Sequence, residues 1–329
     1  MPNPLSASVK QLLHNAEHIL LISHIRPDGD AIGSLLGLGL SLKTAGKDIQ
    51  MVLSDGIPRS FRQLLGSCDV ARKVKQEYDL SIVLDCSDLL RINGVLGDRI
   101  PDLNIDHHVT NLNFAKLNFV DPQAVATSAI LAEFLPDWGL EITEPVANAL
   151  LTGIVSDTLG FRTSNITPNS LRLAACLMEH GANLSELYNR ALVNRSFEAA
   201  CYWGLGLNHL ERQGRLIWAT LTLEDRIKAS YPGSDDADLI NLLSSIEDSD
   251  VAIIFTEQKE NRVKVSWRAI PGINISQIAL QFGGGGHPAA AGAEIIGILE
   301  DVQQRVLQAT QNFLENSVPV NGHMIIDNG

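Results

Sequence analysis

The stretch HILLISHIRPDGD, residues 18–30, decides the fold because it joins a buried strand to a polar turn and the start of a helix. The apolar run within residues 18–24 is continuous, which is typical of a parallel strand covered on both faces. The following residues, DAIGSLLGLGLSLKTA (30–45), predict a helix that is closed by Gly46. A strand that passes through a turn into a helix indicates the opening of an α/β unit.

Three more strands and at least two more helices are predicted in the first half of the chain. The strands are DIQMVLSD (48–55), DLSIVLDCSD (79–88) and LNIDHH (103–108), and the helices are 126–135 and 143–159. Alternating strands and helices predict an N-terminal doubly wound domain with a mainly parallel sheet. In such sheets, ligands bind at the carboxyl ends of the strands.

The second half of the chain changes character near residue 213. The pattern from 167 to 212 is helical and contains no strand signal, whereas later segments have β-type patterns and the chain closes with an amphipathic helix. These later segments are GRLIWATLTL (214–223), DVAIIFTE (250–257), NRVKVSWRA (261–269) and ILEDVQQRVLQATQNFLE (298–315). We therefore expect a smaller C-terminal α/β domain with a mixed sheet. The predicted limits are an N-terminal domain at 1–185, a helical connector at 186–212, the second domain at 213–318 and a loose tail at 319–329.

The composition excludes several classes of protein. The net charge of the 329 residues is −13, which argues against binding of long duplex DNA through a broad basic face. The four cysteines include no C-x-x-C pair, so buried thiols in a reducing compartment are expected. The N-terminal segment lacks the pattern of a signal peptide, and no apolar run reaches the ~18 residues of a membrane span. These observations predict a cytoplasmic protein with no membrane partner.

Eight Asp and His residues cluster just past strand ends or within a helical stretch. They are His24, Asp28, Asp30, Asp85, Asp106, His107, His108 and Asp157. Carboxylates this dense repel one another unless cations are bound. A mixture of carboxylate and imidazole suits Mn²⁺, with Mg²⁺, Fe²⁺ and Zn²⁺ as alternatives. The set offers more ligands than one ion needs, so we expect two ions that share a bridging carboxylate, the arrangement used for in-line attack on phosphate.

Each motif also has a purely structural interpretation. PDGD (27–30) alone is typical of a turn with an aspartate helix cap. Asp85 alone could cap the end of a strand, and DHH alone could occur by chance. Asp157 is harder to explain in this way, because a carboxylate among apolar neighbours needs a partner. The combination, in this order and at strand ends, favours a metal site.

The motifs resemble those of the DHH phosphoesterase family. In chain order they are H-x-x-x-D-x-D, a D that ends a strand, D-H-H and S-D-T. FGGGGHPAAAG (282–292) likewise resembles the glycine-rich signature of the DHH-associated C-terminal domain. The resemblance covers roughly residues 15–315. The two-domain layout is most similar to the branch of oligoribonucleases (nano-RNases) and pAp phosphatases.

The resemblance implies roles for the residues of the first domain. One ion would be held by His24, Asp28 and Asp85, and the other by Asp30, Asp85, His107 and Asp157. His108 would face the phosphate as a hydrogen-bond donor or as an acid for the leaving oxygen. Asp106 would orient a neighbouring group. The cations would lower the pKa of the attacking water.

The resemblance also implies a substrate-binding surface in the second domain. Its residues would be Ser266, Arg268, Gly284, Gly285, Gly286 and His287. Arg268 is suited to forked contact with phosphate, and glycines allow backbone amides to approach an anion closely. Pro288 departs from the pattern of many relatives, which leaves the end preference for the substrate open.

The expected activity is Mn²⁺-dependent hydrolysis of short oligoribonucleotides to nucleoside monophosphates, removal of the 3′ phosphate from pAp, or both. The alternative within the same chemistry is hydrolysis of cyclic dinucleotides or of pApA. A non-catalytic nucleotide sensor is disfavoured because every expected metal ligand is present. The expected partners are short RNAs or small phosphorylated nucleotides, and the family resemblance implies a homodimer.

Overall fold

The structure, a computed structural model, describes residues 4–316. The chain divides into two compact units, Met1–Asn194 and Arg195–Gly329. This division falls inside the segment predicted as a connector, and the four predicted domain limits stay predictions. The expected loose tail at 319–329 lies outside the described residues.

The first unit is built on a parallel sheet of five strands in the order β2-β1-β3-β4-β5. The strands are β1 (His18–Ile22), β2 (Asp48–Val52), β3 (Leu80–Leu84), β4 (Leu103–Asp106) and β5 (Leu117–Val120). The sequence prediction missed β5. This strand is short and buries only Phe119 fully, so it lacks the continuous apolar run that identified the others.

The two faces of this sheet are covered differently. Ile19 and Leu21 face a large core that the helices of the unit cover, whereas Leu20 and Ile22 face a smaller one. The helices are α1 (Pro4–Asn15), α2 (Gly29–Thr44), α3 (Thr127–Phe134), α4 (Glu144–Asp157), α5 (Pro168–Glu179) and α6 (Leu184–Tyr188). Among the described residues, the smaller core is completed by side chains from the connecting segments 71–78 and 89–96 and by Phe114.

The second unit contains a mixed sheet of six strands in the order β10-β11-β9-β8-β7-β6, in which only β7 and β8 pair in parallel. The strands are β6 (Glu211–Gln213), β7 (Leu216–Leu221), β8 (Val251–Gln258), β9 (Arg262–Ala269), β10 (Gly285–His287) and β11 (Ala290–Ile296). The helices are α7 (Phe197–Asn208), α8 (Leu223–Lys228), α9 (Leu239–Leu243), α10 (Ser276–Gln281) and α11 (Leu299–Asn316). The predicted α/β class, with a parallel and a mixed sheet, is confirmed.

Two details of the second unit correct the sequence prediction. The segment expected to contain no strand ends in β6, which was overlooked because its three residues are polar and exposed. The strands β10 and β11 were also missed, because glycines and alanines carry no β-type pattern. Within residues 4–316, no helix combines the length and apolar character that crossing a bilayer requires. All four cysteines are unpaired.

Candidate metal centre

The Asp and His residues singled out in the sequence lie in the first unit, at the carboxyl edge of its sheet. His24 follows β1 by two residues, and Asp85 follows β3 directly. Asp106 is the last residue of β4, and His107 and His108 come immediately after it. Because parallel strands end at the same edge, three distant parts of the chain meet there.

Three further carboxylates come from helices α2 and α4. Asp28 is the N-cap of α2, and its Oδ1 accepts hydrogen bonds from the backbone N–H groups of Asp30 and Ala31, at 3.1 and 3.0 Å. Asp30 lies in the first turn of α2, and Asp157 is the last residue of α4. The helix-cap interpretation of PDGD is therefore correct for Asp28, but the same residue also adjoins the cluster described next.

Asp85 occupies the centre of this cluster. Its backbone has a φ of +53°, a left-handed conformation that aspartate tolerates better than most residues. Its carboxylate lies 3.6 Å from His24 Nε2, 3.7 Å from His107 Nε2 and 3.8 Å from His108 Nδ1. The hydroxyl of Thr127 donates to Asp85 Oδ1 at 3.0 Å. The Asp85 side chain is almost fully buried, at 2% exposure, so these neighbours replace solvent around it.

Potential ligand atoms form three overlapping sets around Asp85, each with its atoms within 4.8 Å of one another. The sets are His24, Asp28 and Asp85; Asp30, Asp85 and His107; and Asp85, Asp106 and His108. Asp157 adjoins the second set, since its Oδ2 lies 3.5 Å from His107 Nε2. The structure therefore brings all eight side chains together, and Asp85 is common to every set.

Asp30 is held rigidly by the start of α3. The backbone N–H of Thr127 donates to Asp30 Oδ2 at 2.6 Å, and that of Ser128 donates to Oδ1 at 2.9 Å. Asp30 is completely buried, and the N-terminus of a helix stabilises a negative charge at this place. Each oxygen keeps one lone pair, because a carboxylate oxygen accepts two hydrogen bonds.

Glycines allow α2 and α4 to approach each other at the site. A Cβ on Gly33 would lie 2.5 Å from the carbonyl oxygen of Ala149 on the neighbouring helix. A Cβ on Gly153 would lie 2.0 Å from Ser128 Oγ and 2.7 Å from Asp30 Oδ1. Both positions exclude a side chain, so these glycines are required to bring the helix carboxylates to the strand ends.

The buried carboxylates destabilise one another's charged forms. Burial raises the pKa of Asp30 well above its usual value, and the nearby Asp85 and Asp157 carboxylates raise it further. Burial also raises the pKa of Asp157 to about 6; His107 opposes this shift, whereas Asp28 and Asp85 add to it. A bound cation would favour the charged forms of Asp30 and Asp157 by compensating the negative charge.

The imidazoles have the opposite effect on Asp85. Burial alone would raise its pKa, but the contact with His24 and the charges of His108 and His107 hold the pKa well below its usual value. Asp85 therefore stays ionised more readily than Asp30 and Asp157. A charged carboxylate at the shared position suits a bridging ligand.

The donor chemistry of the cluster fits hard or borderline divalent metal ions. Its donors are carboxylate oxygens and imidazole nitrogens, which suit Mn²⁺, Mg²⁺, Fe²⁺ or Zn²⁺. The neighbouring thiol does not contribute, because Cys86 belongs to the smaller core and its Sγ contacts the carbonyl of Asp88 at 3.1 Å. Burial raises the pKa of Cys86 to about 12, which keeps it protonated.

His108 and Asp106 form a hydrogen-bonded pair at the edge of the cluster. His108 Nδ1 lies 2.7 Å from Asp106 Oδ1, and Asp106 is completely buried. Burial lowers the pKa of His108, but the bond to Asp106 and the charges of Asp85 and Asp157 outweigh it and raise the pKa to about 9. Asp106 thus contacts the imidazole next to the cluster, the geometry expected of an orienting carboxylate.

Sequence reasoning missed several residues that touch the site. Thr127 and Ser128 carry no motif that would have identified them. Arg91 Nη2 lies 3.1 Å from His24 Nδ1, which also lies 2.8 Å from the carbonyl oxygen of Ile25. Asn111 contacts Asp106, and the only available signal was its place three residues after His108 in DHHVTN.

In the second unit, the pairing of β9, β10 and β11 aligns the predicted substrate-binding residues. Ser266 and Arg268 are two residues apart on β9, so their side chains share one face of the sheet. Ala290 of β11 pairs with both Arg268 and His287, which places His287 in the same row as Arg268.

The glycine-rich stretch forms a β-hairpin, which gives two of its glycines a structural role. A Cβ on Gly284 would lie 2.1 Å from the carbonyl oxygen of Gly292, and one on Gly286 would lie 2.4 Å from that of Ala290. Gly286 also has a φ of +143°. Nothing lies within 4 Å of a Cβ on Gly285, so the hairpin has room for a side chain at this position.

Comparison with known families gives two matches. Residues 18–154 match the N-terminal domain of the DHH family, and residues 220–316 match the DHHA1 domain. The bifunctional oligoribonuclease and PAP phosphatase NrnA of Thermus thermophilus is 36% identical over 300 residues, which span 90% of each chain. The cyclic-di-AMP phosphodiesterase GdpP of Geobacillus thermodenitrificans is 23% identical, over 96% of this chain and 50% of GdpP.

The fold is also found among solved structures. A crystal structure of an exopolyphosphatase-related protein from Bacteroides fragilis superposes with a TM-score of 0.85 at 24% identity. The match covers 94% of this chain and 95% of that one. At this level of identity the likeness concerns the fold alone.

Proposed function

The chain belongs to the DHH family, and on that premise we propose that it is a phosphoesterase that degrades short oligoribonucleotides to nucleoside monophosphates and removes the 3′ phosphate from pAp. The proposal is supported by the NrnA relative, which is named for both activities and aligns over 90% of each chain. The observation that carries it is the position of Asp85, whose carboxylate belongs to all three of these metal-ligand sets.

Two divalent ions, with Mn²⁺ as the proposed metal, would be held by the side chains of the first unit. His24, Asp28 and Asp85 would hold one, and Asp30, Asp85, His107 and Asp157 would hold the other. When bound, such a pair supplies an activated water and compensates the charge that develops on the phosphate. The fit is supported by the burial of Asp30 and Asp85, whose clustered negative charges need compensation.

His108 would serve the leaving group. Its Nδ1 is engaged by Asp106, so its Nε2 is the atom suited to donate a proton to the leaving oxygen. This division of the two nitrogens matches the general pattern in which a carboxylate fixes the tautomer of a working histidine. Asp106 would therefore be a positioning residue, and His108 would touch the substrate.

The second unit would bind the nucleotide. Arg268 would contact a phosphate, with Ser266 and His287 beside it, and the amide of Gly285 would approach an anion closely. Gly284 and Gly286 would contribute by shaping the hairpin rather than by direct contact, which modifies the expectation for the glycine stretch. A cytoplasmic setting and a homodimer stay predictions.

A substrate panel in Mn²⁺ tests the proposal. It compares pAp, pApA, cyclic di-AMP and RNAs from dinucleotide to pentanucleotide, and product release is followed by ion-exchange chromatography. We expect nucleoside monophosphates from the short RNAs and AMP from pAp. A folded, Mn²⁺-loaded protein that releases neither product would contradict the proposal.

Hydrolysis of cyclic dinucleotides or of pApA is the second candidate. It is favoured by the GdpP relative, which is named as a cyclic-di-AMP phosphodiesterase and aligns over 96% of this chain. The same panel separates the two candidates. If kcat/KM is higher for cyclic di-AMP than for pAp and the short RNAs, the second proposal replaces the first.

A further inference from the structure

We propose that Asn111 is a positioning residue that holds Asp106, and through it His108, in the orientation needed for the reaction. Asn111 lies outside the metal-ligand sets, on the loop that follows β4. The inference deepens the proposed function and rests on it for its kinetic part. The geometry that carries it is a chain of side-chain hydrogen bonds that runs from Asn104 through Asn111 and Asp106 to His108.

The orientation of the Asn111 amide is fixed by its own loop. Its Oδ1 accepts the backbone N–H of Asn113 at 2.7 Å, so its Nδ2 must point the opposite way. There Nδ2 donates to Asp106 Oδ2 at 2.5 Å and to Asn104 Oδ1 at 2.8 Å. The Cys86 carbonyl oxygen lies further away, at 3.3 Å.

Asn104 anchors this amide to the sheet. It is completely buried on β4, and its Nδ2 lies 3.2 Å from the carbonyl oxygen of Val83 and 3.3 Å from that of Cys86. Both carbonyls belong to β3 or the turn after it, which carries Asp85. The two asparagines therefore tie the loop after β4 to the strand end that supplies the shared carboxylate.

Asp106 needs this donor because it is completely buried and its two oxygens have different partners. Oδ1 faces His108 Nδ1 and Oδ2 faces the Asn111 amide. Without the amide, Oδ2 would be left without a partner at a completely buried position, and the carboxylate would rotate or shift to recover one. The His108 ring would then lose the direction that Asp106 gives it.

The first test is a double-mutant cycle between Asn111 and His108 on the Mn²⁺-loaded full-length protein. We expect Asn111→Ala to lower kcat on pAp roughly 10–100-fold, with KM changed less than kcat. This is the usual cost of replacing a residue that orients a neighbouring group of a metal site. In a His108→Ala background the same substitution should have almost no further effect, because its route to the substrate is already removed. Equal effects in both backgrounds would overturn the inference.

Two additional variants separate positioning from loop structure. Asn111→Asp keeps the size of the side chain and the oxygen that accepts the backbone N–H of Asn113. It replaces the N–H donor that faces Asp106 by a second oxygen. This substitution should therefore lower kcat at least as much as Asn111→Ala does. Asn118 is the matched control, since its side chain ties Ala115 in the same loop and Asp106 is not among its bonded partners. A loss of kcat in Asn118→Ala equal to that in Asn111→Ala would show that only loop order matters.

A spectroscopic measurement tests the inference independently of catalysis. With ¹⁵N-labelled histidine, the Nδ1–H resonance of His108 is assigned by its disappearance in His108→Ala. We expect it to shift in Asn111→Ala and Asn111→Asp and to stay unchanged in Asn118→Ala. An unchanged resonance in a folded Asn111 variant would refute the inference, whereas an inactive wild-type protein with the expected shifts would refute only the proposed function.

Discussion

At the scale of single residues, the site depends on where one carboxylate lies. Asp85 follows a buried strand, turns the chain with a left-handed backbone and meets three imidazoles within 4 Å. Asp30 and Asp157 are less readily ionised than Asp85, because burial and mutual repulsion raise their pKa values. In the absence of a cation, this clustering of buried carboxylates is expected to lower the folding stability.

Substitution of Asp85 should affect turnover far more than substrate binding. Asp85→Asn removes the charge at the position shared by the two proposed ion sites. We therefore expect kcat to fall by more than the roughly 10–100-fold that is typical when a residue contacting a metal ligand is replaced. The dissociation constant of pAp, measured by isothermal titration calorimetry, should change little. A kcat within tenfold of wild type would contradict this role.

The raised pKa of Asp157 predicts a pH-dependent effect on the stability of the metal-free protein. Its folded-state pKa of about 6 exceeds the unfolded value of about 3.9, so the folded state binds more protons and stability falls as pH rises between them. Asp157→Asn removes this loss. The Tm of the variant relative to wild type should therefore be higher at pH 7 than at pH 4, as measured by calorimetry in a chelator.

A surface carboxylate provides the control for this effect. Asp98 lies in the same unit and is exposed, so Asp98→Asn should shift Tm by similar small amounts at both pH values. If the benefit of Asp157→Asn were the same at pH 4 and pH 7, the charge on Asp157 would not be the cause.

At the scale of secondary-structure elements, glycines set the distance between α2 and α4. Gly153→Ala should destabilise the protein by roughly 1–3 kcal/mol, because its Cβ would overlap Ser128 Oγ and press on Asp30. It should also weaken Mn²⁺ binding. Chemical denaturation and metal titration measure the two effects.

Gly204 is the matched control for this helix glycine. It lies in the interior of α7, and nothing lies within 4 Å of its added Cβ. Gly204→Ala should therefore be neutral or stabilise by about 0.5–1 kcal/mol through helix propensity. A similar destabilisation by both substitutions would show that close packing of α4 against α2 and α3 is not the reason for Gly153.

The glycine hairpin allows structural and binding roles to be separated. Gly286→Ala should destabilise the second unit, because the residue has a φ of +143° and its Cβ would overlap the Ala290 carbonyl. Gly285→Ala has open space and should leave stability nearly unchanged, but it should raise KM for pAp if a backbone amide there approaches an anion. A Gly285→Ala variant with wild-type KM would remove Gly285 from the binding surface.

At the scale of the whole molecule, metal binding should stabilise the two units unequally. All the proposed metal ligands lie in the unit Met1–Asn194. Saturating Mn²⁺ should therefore slow hydrogen exchange in that unit. The free energy of opening should rise there by up to about 4 kcal/mol when the ion is at a thousand times its dissociation constant. Mass spectrometry resolves peptides of the two units. Equal protection of peptides from both units would contradict a site confined to the first.

The sequence predicted most of this architecture because its strongest signals are local. Continuous apolar strands, a helix closed by Gly46 and acidic residues at strand ends require no knowledge of distant contacts. The strands β6, β10 and β11 were missed because polar or small residues form most of their length, and β5 was missed because it is short and its apolar residues are interrupted by Asn118.

The supporting residues of the site were missed for a similar physical reason. Thr127 and Ser128 hold Asp30 through backbone N–H groups, which all residue types except proline carry. The Thr127 hydroxyl and the Asn111 amide act through contacts that only the folded chain creates. None of these contacts can be recognised from residue type alone. The metal-ligand candidates, in contrast, were predictable because Asp and His were chemically distinct among apolar strands.

The most direct measurement of the central claim is the electron paramagnetic resonance spectrum of the Mn²⁺-loaded protein. Because one carboxylate would join both ions, we predict an exchange-coupled pair of Mn²⁺ ions in wild type and its loss in a folded Asp85→Asn variant. A spectrum of isolated ions in wild type, or an unchanged coupled spectrum in the variant, would contradict the account.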